Sequence, residues 1–256
     1  MLEPSFFTTS DGFAHAWYEL GGGAAGPAIV LQHGFTANTW HEWVECGIAQ
    51  RIVGLGRRVV GIDALGHGRS DRPHDSASYG EGRMAADVSA LATHLGLKSF
   101  DYLGYSMGGI IGLKLGTSEP RLRRLIVAGI GEGVIAVGGV DTRVLDRRLL
   151  AKGLRAADPS GFPDLVRAFR NGILERGGDL LAMAAQADSG QPALGDLATI
   201  NAQTLLIAGD VDPLAVKPEI LAAAIPGCRL TIVPGDHVQA RLSPEFTAAV
   251  LAFLAD

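Results

Sequence analysis

Gly104-Tyr105-Ser106-Met107-Gly108 is the stretch on which the reading of the fold turns. It has the form G-x-S-x-G. Lys98-Ser99-Phe100-Asp101-Tyr102-Leu103 before it reads as a short strand, and Gly109-Ile110-Ile111-Gly112-Leu113-Lys114-Leu115 after it as the start of a buried helix. A serine on a sharp strand-to-helix turn is forced toward positive φ and lifts its hydroxyl into a cleft. Neighbouring backbone then comes so close that a Cβ at either flank would clash, which accounts for Gly104 and Gly108. The five residues alone also fit a helix that follows a glycine-rich loop. The strand before and the helix after favour a nucleophile.

Outward from this turn the chain alternates strands and helices. Residues 5–9 and 13–20 flank Ser10-Asp11-Gly12, a hairpin signal. Ala28-Ile29-Val30-Leu31-Gln32 is a short apolar run of the kind a fully buried strand needs. A helix is expected over Trp40 to Leu55, a strand over 58–63, and a helix over Tyr79 to Leu95 with Met84, Val88, Leu91 and Leu95 on one face. Arg124 to Ala128 is the next strand. Such alternation implies right-handed βαβ units on a parallel sheet.

The rhythm breaks after Ile130. Gly131 to Gly139 reads as a loop, and 141–154, 162–174 and 179–187 as short helices punctuated by Pro159, Pro163 and Pro192. Residues 131–195 are therefore expected to be a small helical cap inserted in a core made of 1–130 and 196–256. It is too small and interrupted to hold a good core alone. Strands resume at 204–208 and 229–233, with a helix at 217–224. A final helix opens at Ser243-Pro244-Glu245, a good N-cap with proline at the first helical position.

Composition narrows the class. The chain has 256 residues, which suits one large α/β domain. With 47% apolar and 19% charged residues it is of globular type. A net charge of -5 and the lack of a Lys/Arg block argue against a nucleic-acid partner. Cys46 and Cys228 form no CxxC and have no ligand-spaced histidine, so no zinc site is expected, and they read as reduced, buried thiols. No cationic segment precedes an apolar run at the N-terminus, and no run of about 18 uncharged apolar residues occurs, so neither a signal peptide nor a membrane span is expected. A cytoplasmic protein is the default.

In a parallel sheet, ligands bind at the C-terminal strand ends. His33-Gly34-Phe35, Ser106, Gly209-Asp210-Val211-Asp212 and Asp236-His237 all follow predicted strands. With Gly61 to Asp71 (GIDALGHGRSD), these segments resemble the α/β-hydrolase superfamily, and a serine esterase-like member of it, from about residue 5 to residue 254. The order nucleophile, acid, histidine matches that family. The resemblance implies an α/β-hydrolase fold: a mostly parallel central sheet with an N-terminal antiparallel hairpin and helices on both faces. It is highly specific for fold and much less so for substrate.

Given that fold, Ser106 is the nucleophile, and a serine hydroxyl needs a base within hydrogen-bond reach. His33 and His67 belong to turns that in the family brace loops. His15 lies in the first hairpin, and His41, His74 and His94 fall away from the rim. His237 is left as the base. The family pattern G-x-x-D points to Asp212 as the acid, with Asp210 as a turn residue, Asp236 turned away, and Glu132 as the minor alternative. The oxyanion hole falls to the backbone N–H groups of Phe35 and Met107. Serine at the elbow argues against the dehalogenases and epoxide hydrolases, which use aspartate there. Val238 after the histidine, where many carbon–carbon hydrolases have tryptophan, lowers that reading.

The expectation is therefore a carboxylesterase acting on small to medium esters through an acyl-enzyme, needing no metal or cofactor. Its partner would be a small-molecule ester, with no nucleic acid or membrane, in a monomer or small homo-oligomer. The alternatives are an enol-lactone or carbon–carbon bond hydrolase on the same residues, or a ligand-binding receptor with little turnover. Arg147, Arg148, Arg155, Arg167 and Arg170 in the cap are expected mostly on its solvated face, though one could meet a substrate carboxylate. Phe162, Phe169, Leu180 and Met183 could line an acyl pocket, though such residues more often pack a cap onto its sheet.

Overall fold

The computed structural model describes residues 2–23, 26–190 and 193–255. β1 (Ser5–Thr8) and β2 (Ala14–Gly21) form the expected antiparallel hairpin around Asp11-Gly12. β2 also pairs antiparallel with β4 (Val59–Ile62). From there the sheet is parallel through β3 (Ala28–Gln32), β5 (Phe100–Tyr105), β6 (Leu122–Ala128), β7 (Gln203–Gly209) and β8 (Arg229–Val233). The eight strands run in the order β1-β2-β4-β3-β5-β6-β7-β8.

Apolar runs without alternation become strands buried on both faces, because helices cover each side. In β3, Val30 faces a core shared with Val60, Tyr102 and Val127. Ile29 and Leu31 point the other way, toward Trp43, Leu103 and Phe246. The first face is closed by α2 (Glu81–His94), α3 (Met107–Gly116) and α8 (Pro218–Ala223), the second by α1 (Ile48–Val53) and α10 (Pro244–Ala255). α10 starts as its sequence predicts: the Ser243 hydroxyl accepts the Phe246 N–H at 3.1 Å, with Pro244 in the first helical position.

Two local expectations are corrected. The single helix expected over 40–55 is a wide π-type turn (Trp40–Val44) and then α1, broken where Gly47 takes φ 80°. The segment 131–139, read as a loop, contains α4 (Gly133–Val137). Between β6 and β7 lie α4, α5 (Arg147–Arg155), α6 (Asp164–Glu175) and α7 (Leu180–Asp188). The last three enclose a cluster of their own that includes Leu150, Leu154, Val166, Ile173 and Met183. Phe35 and Val140 touch both this cluster and the sheet's.

Among the described residues no helix is long and apolar enough to cross a membrane. Cys46 and Cys228 are free and half-buried rather than buried.

Candidate active site

β5 and α3 meet at Ser106, one of two non-glycine residues with positive φ among the described residues (φ 53°, ψ -114°). The flanking glycines are demanded by backbone. A Cβ on Gly104 would stand 2.1 Å from the Gly108 carbonyl oxygen, and one on Gly108 would stand 2.2 Å from the Gln32 carbonyl oxygen. A contact that close with backbone cannot be relieved by turning a side chain. Strain of this kind persists only where the surroundings over-determine it.

The turn holds the Ser106 hydroxyl 2.9 Å from His237 Nε2. His237 lies between β8 and α9 (Gln239–Leu242). Its Nδ1 donates to Asp212 Oδ2 at 2.8 Å, while Asp212 Oδ1 accepts the Leu214 N–H at 2.8 Å. A carboxylate can only accept, so the proton sits on Nδ1 and the Nε2 lone pair faces Ser106. Asp212 is buried, whereas the His237 side chain keeps 25% of its exposure. The other carboxylates are engaged elsewhere. Asp210 accepts the Gly235 N–H, and Asp236 caps the turn at Val238 and Gln239. Glu132 pairs with Arg143 and Lys217.

Met107 opens α3, so its N–H has no partner inside the helix and carries the positive end of the helix dipole. The Gly34-Phe35 loop lies against the same spot: a Cβ on Gly34 would come within 3.4 Å of Ser106 Cβ. Two histidines brace that loop. His33 Nε2 accepts the Ala64 N–H at 3.0 Å, which leaves Nδ1–H to donate to Gly34 O at 2.8 Å. His67 Nε2 lies 2.8 Å from Phe35 O. Its Nδ1 lies 3.0 Å from Leu65 O, so both ring nitrogens face carbonyl oxygens, while burial, with His33 alongside, drives the His67 pKa down to about 3.

Three supporting residues escaped the sequence reading. Tyr105 donates its hydroxyl to the His237 carbonyl at 2.8 Å, tying the histidine loop to the residue beside Ser106. Glu42, buried behind the site, accepts the Gly34 N–H at 3.1 Å and pairs with Arg241 Nε. Arg241 also donates to Glu42 O at 3.0 Å. Tyr105 could have been found as the second residue of the G-x-S-x-G motif. Glu42 and Arg241 lie far apart in the chain and carry no local signal. His41, expected away from the rim, lines the cleft beside Ser106 and His237, because the Trp40–Val44 turn runs along it.

Two cavities flank Ser106. One, of about 50 Å³, is mainly apolar and includes Phe35, Met107, Ile110, Leu150 and Phe169 in its lining. The other, of about 380 Å³, is open and more polar, and His237, Glu42, His41 and Arg176 line it. Phe35 and Phe169, with ring centroids 6.2 Å apart, stand between them. Phe169 thus faces the cavities, whereas Met183 is buried in the helical insert and Phe162 and Leu180 pack against it.

A serine hydroxyl aligned with an imidazole and a buried carboxylate, beside helix-terminal N–H groups, can carry out nucleophilic acyl transfer. The chain belongs to the alpha/beta hydrolase fold family, whose model matches residues 27–171, more than half its length. A Bacillus subtilis (strain 168) protein provisionally named 2-succinyl-6-hydroxy-2,4-cyclohexadiene-1-carboxylate synthase is 28% identical over 250 residues, 89% of each chain. Among solved structures, a hydrolase from Pseudomonas aeruginosa PA01 matches with TM-score 0.78 at 28% identity over 99% of both chains. An esterase from Thermogutta terrifontis matches with TM-score 0.76 at 22% identity, over 99% of this chain and 98% of its own. The enol-lactonase from Burkholderia xenovorans LB400 matches with TM-score 0.71 at 22% identity, over 98% of this chain and 100% of its own. The last two likenesses carry the fold alone. A synthase, an esterase and a lactonase among the names leave the reaction to be argued from the site.

Proposed function

We propose that the protein is a serine hydrolase that cleaves carboxylic esters of small to medium size through an acyl-enzyme. The observation that carries this reading is the aligned pair of hydrogen bonds, Ser106 Oγ to His237 Nε2 at 2.9 Å and His237 Nδ1 to Asp212 at 2.8 Å. Ser106 Oγ attacks the ester carbonyl as its proton passes to His237. Asp212 holds the imidazolium, and the Phe35 and Met107 N–H groups receive the oxyanion. The acyl–oxygen bond breaks, and His237 gives its proton to the departing alkoxide. Water then attacks the acyl carbon, losing a proton to His237, which returns it to Ser106 as the acid leaves.

The direction of proton transfer orients the substrate. His237 lines the wide cleft and not the narrow cavity, so the alcohol that it protonates occupies the wide cleft and the acyl group the narrow one. The helices of residues 131–195 act as a cap on the acyl side.

The test is turnover of a panel of esters and lactones by the purified protein, with a fluorophosphonate probe. Wild type should hydrolyse short-chain esters and take up one probe at Ser106. Ser106→Ala should do neither while melting like wild type. Undiminished ester turnover in that variant would sink the assignment, and turnover of lactones alone would move it to a lactonase.

A further inference from the structure

The narrow cavity is apolar except at one wall, where Arg147, Gln186 and Glu81 line it. Of the five cap arginines singled out from the sequence, Arg147 is the one that faces Ser106 across this cavity. Arg148 and Arg155 are exposed. Arg167 pairs with Asp164, and Arg170 donates to the Gly153 and Leu154 carbonyls. Arg147 is fixed from behind: Nη2 donates to Gln186 O at 2.7 Å and to Ser189 Oγ at 3.3 Å across α7. Its Nε and Nη1 make no hydrogen bond, and it has no ion pair among the described residues. Burial weakens its hold on the proton, while Glu81 and Asp188 act in the opposite sense.

Charge at this wall is unbalanced. Glu81 lies close enough to interact electrostatically with both Arg147 and the buried Lys114, and Asp188 acts on Arg147 while paired with Arg155, so three cations draw on these two carboxylates. On its outer side Arg147 joins Arg148, Lys152 and Arg155 in an open groove whose acids are Asp146 and Asp188. A surplus of positive charge is thus concentrated around one side chain of a chain whose net charge is -5.

A second, independent feature lies beside it. Gln186 is 2% exposed, and its Oε1 has no hydrogen-bond partner among the described residues. Its Nε2 contacts Met107 Sδ at 2.8 Å, directly behind the residue that follows Ser106. A buried carboxamide left half-satisfied is costly unless something in the cavity completes it. By rotating, it can present either its NH₂ or its oxygen to a guest.

We infer that the acyl group bound here ends in a carboxylate, held by the free edge of Arg147 and by the Gln186 amide. The substrate class is then half-esters of short dicarboxylic acids, with the ester carbonyl at Ser106 and the free carboxylate at the cap. Arg147 is a specificity-determining residue: it selects the acid half of the substrate and takes no part in bond breaking. This rests on the reading of Ser106 as an ester-cleaving nucleophile and on the acyl side being the narrow cavity.

The experiment compares kcat/KM for monomethyl succinate and for methyl pentanoate, which has a similar shape and no charge, in wild type, Arg147→Met and Arg147→Lys. Wild type should prefer the half-ester by about 10-fold or more. The preference should fall to parity or reverse in Arg147→Met and return in part in Arg147→Lys. A binding arm, free of turnover, titrates succinate and pentanoate into Ser106→Ala by calorimetry. Succinate should bind more tightly, and adding Arg147→Met should remove the difference.

Equal kcat/KM for the two esters in wild type, a preference that survives in Arg147→Met, or no preference for succinate in Ser106→Ala would each overturn the inference. If the Met variant fails to fold, the wild-type selectivity and the titration decide it alone. Arg147-dependent succinate binding with no turnover of either ester would uphold the anionic subsite and remove the esterase reading instead.

Discussion

Residues 100–116 and residues 133–188 face each other across the narrow cavity, and different forces hold them in place. The first region is fixed by backbone. For a hypothetical Cβ, Gly104 is pressed to within 2.1 Å of the Gly108 carbonyl oxygen and Gly108 to within 2.2 Å of that of Gln32, and Ser106 sits at φ 53° between them. The second is fixed by side chains. Its helices share Leu150, Leu154, Val166, Ile173 and Met183, a Cβ on Gly133 or Gly153 would meet a side chain (Asp141 or Val166) at 2.5 or 2.2 Å, and at Gly161 an added Cβ would meet nothing within 4 Å. Backbone packing admits one geometry, whereas side-chain packing admits volume-conserving exchange at little cost. The proposed chemistry is thus carried by the region that cannot change, and the choice of substrate by the region that can.

The largest expected effect tests the rim. Asp212→Asn should lower kcat by about 10⁴-fold, because it loses the acceptor that fixes the imidazole tautomer. Asp210→Asn, two residues away but bonded among the described residues only to Gly235, should stay within about 10-fold of wild type. Ester kinetics on both variants check this, and the reverse ranking would reassign the acid.

Next comes the contrast in stability. Gly108→Ala should destabilise by about 3 kcal/mol or more, since the new methyl meets backbone. Gly161→Ala should change stability by no more than about 1 kcal/mol, on the stabilising side, through a stiffer unfolded chain. Urea melts of the pair measure the difference directly. Similar losses in both would erase the distinction between the two regions.

A smaller effect separates the pH response of the fold from that of the rim. His15 and Asp87 are buried outside both regions, with His15 Nε2 3.7 Å from Asp87 Oδ1. Burial raises the Asp87 pKa to about 7 and lowers that of His15 to about 4. Between pH 4 and 7 the native Asp87 holds a proton that the unfolded chain has lost, so its contribution to stability falls as pH rises. His15 acts in the opposite sense over most of that range, from about pH 4 to its ordinary value of 6.5, and it is present in wild type and variant alike. The stability of Asp87→Asn relative to wild type should therefore climb from pH 4 to pH 7, by about 1–2 kcal/mol. A difference independent of pH would refute the buried, protonated Asp87.

Legibility in the sequence followed the same division. The turn at Ser106, the strand ends and the position of His237 could be read because strand periodicity and glycine placement are local. Asp210 and Asp212 both follow the strand, and the resemblance to the family, through its G-x-x-D pattern, is what pointed to Asp212. What could not be read depends on contacts between distant segments. Glu42 and Arg241 meet across the site, and nothing near either residue announces the other. The break at Gly47 was missed because the apolar positions continue through it, and the φ of 80° that ends the turn leaves no trace in that pattern. Arg147 was one of five similar arginines between residues 131 and 195. Only the packing of α5 on α7, which brings Gln186 O to its guanidinium, sets it apart.

The placement of His237 on the wide cleft alone has a kinetic consequence. In the proposed cycle, the departing alcohol and the incoming water use the same opening, one after the other, while the acyl group stays in the narrow cavity behind Phe35 and Phe169. Water that His237 activates meets the acyl-enzyme from the alcohol's side. Any small alcohol present in that opening competes with it for the acyl-enzyme, so the fate of the acyl group, acid or new ester, is set by what fills the cleft when the first alcohol leaves.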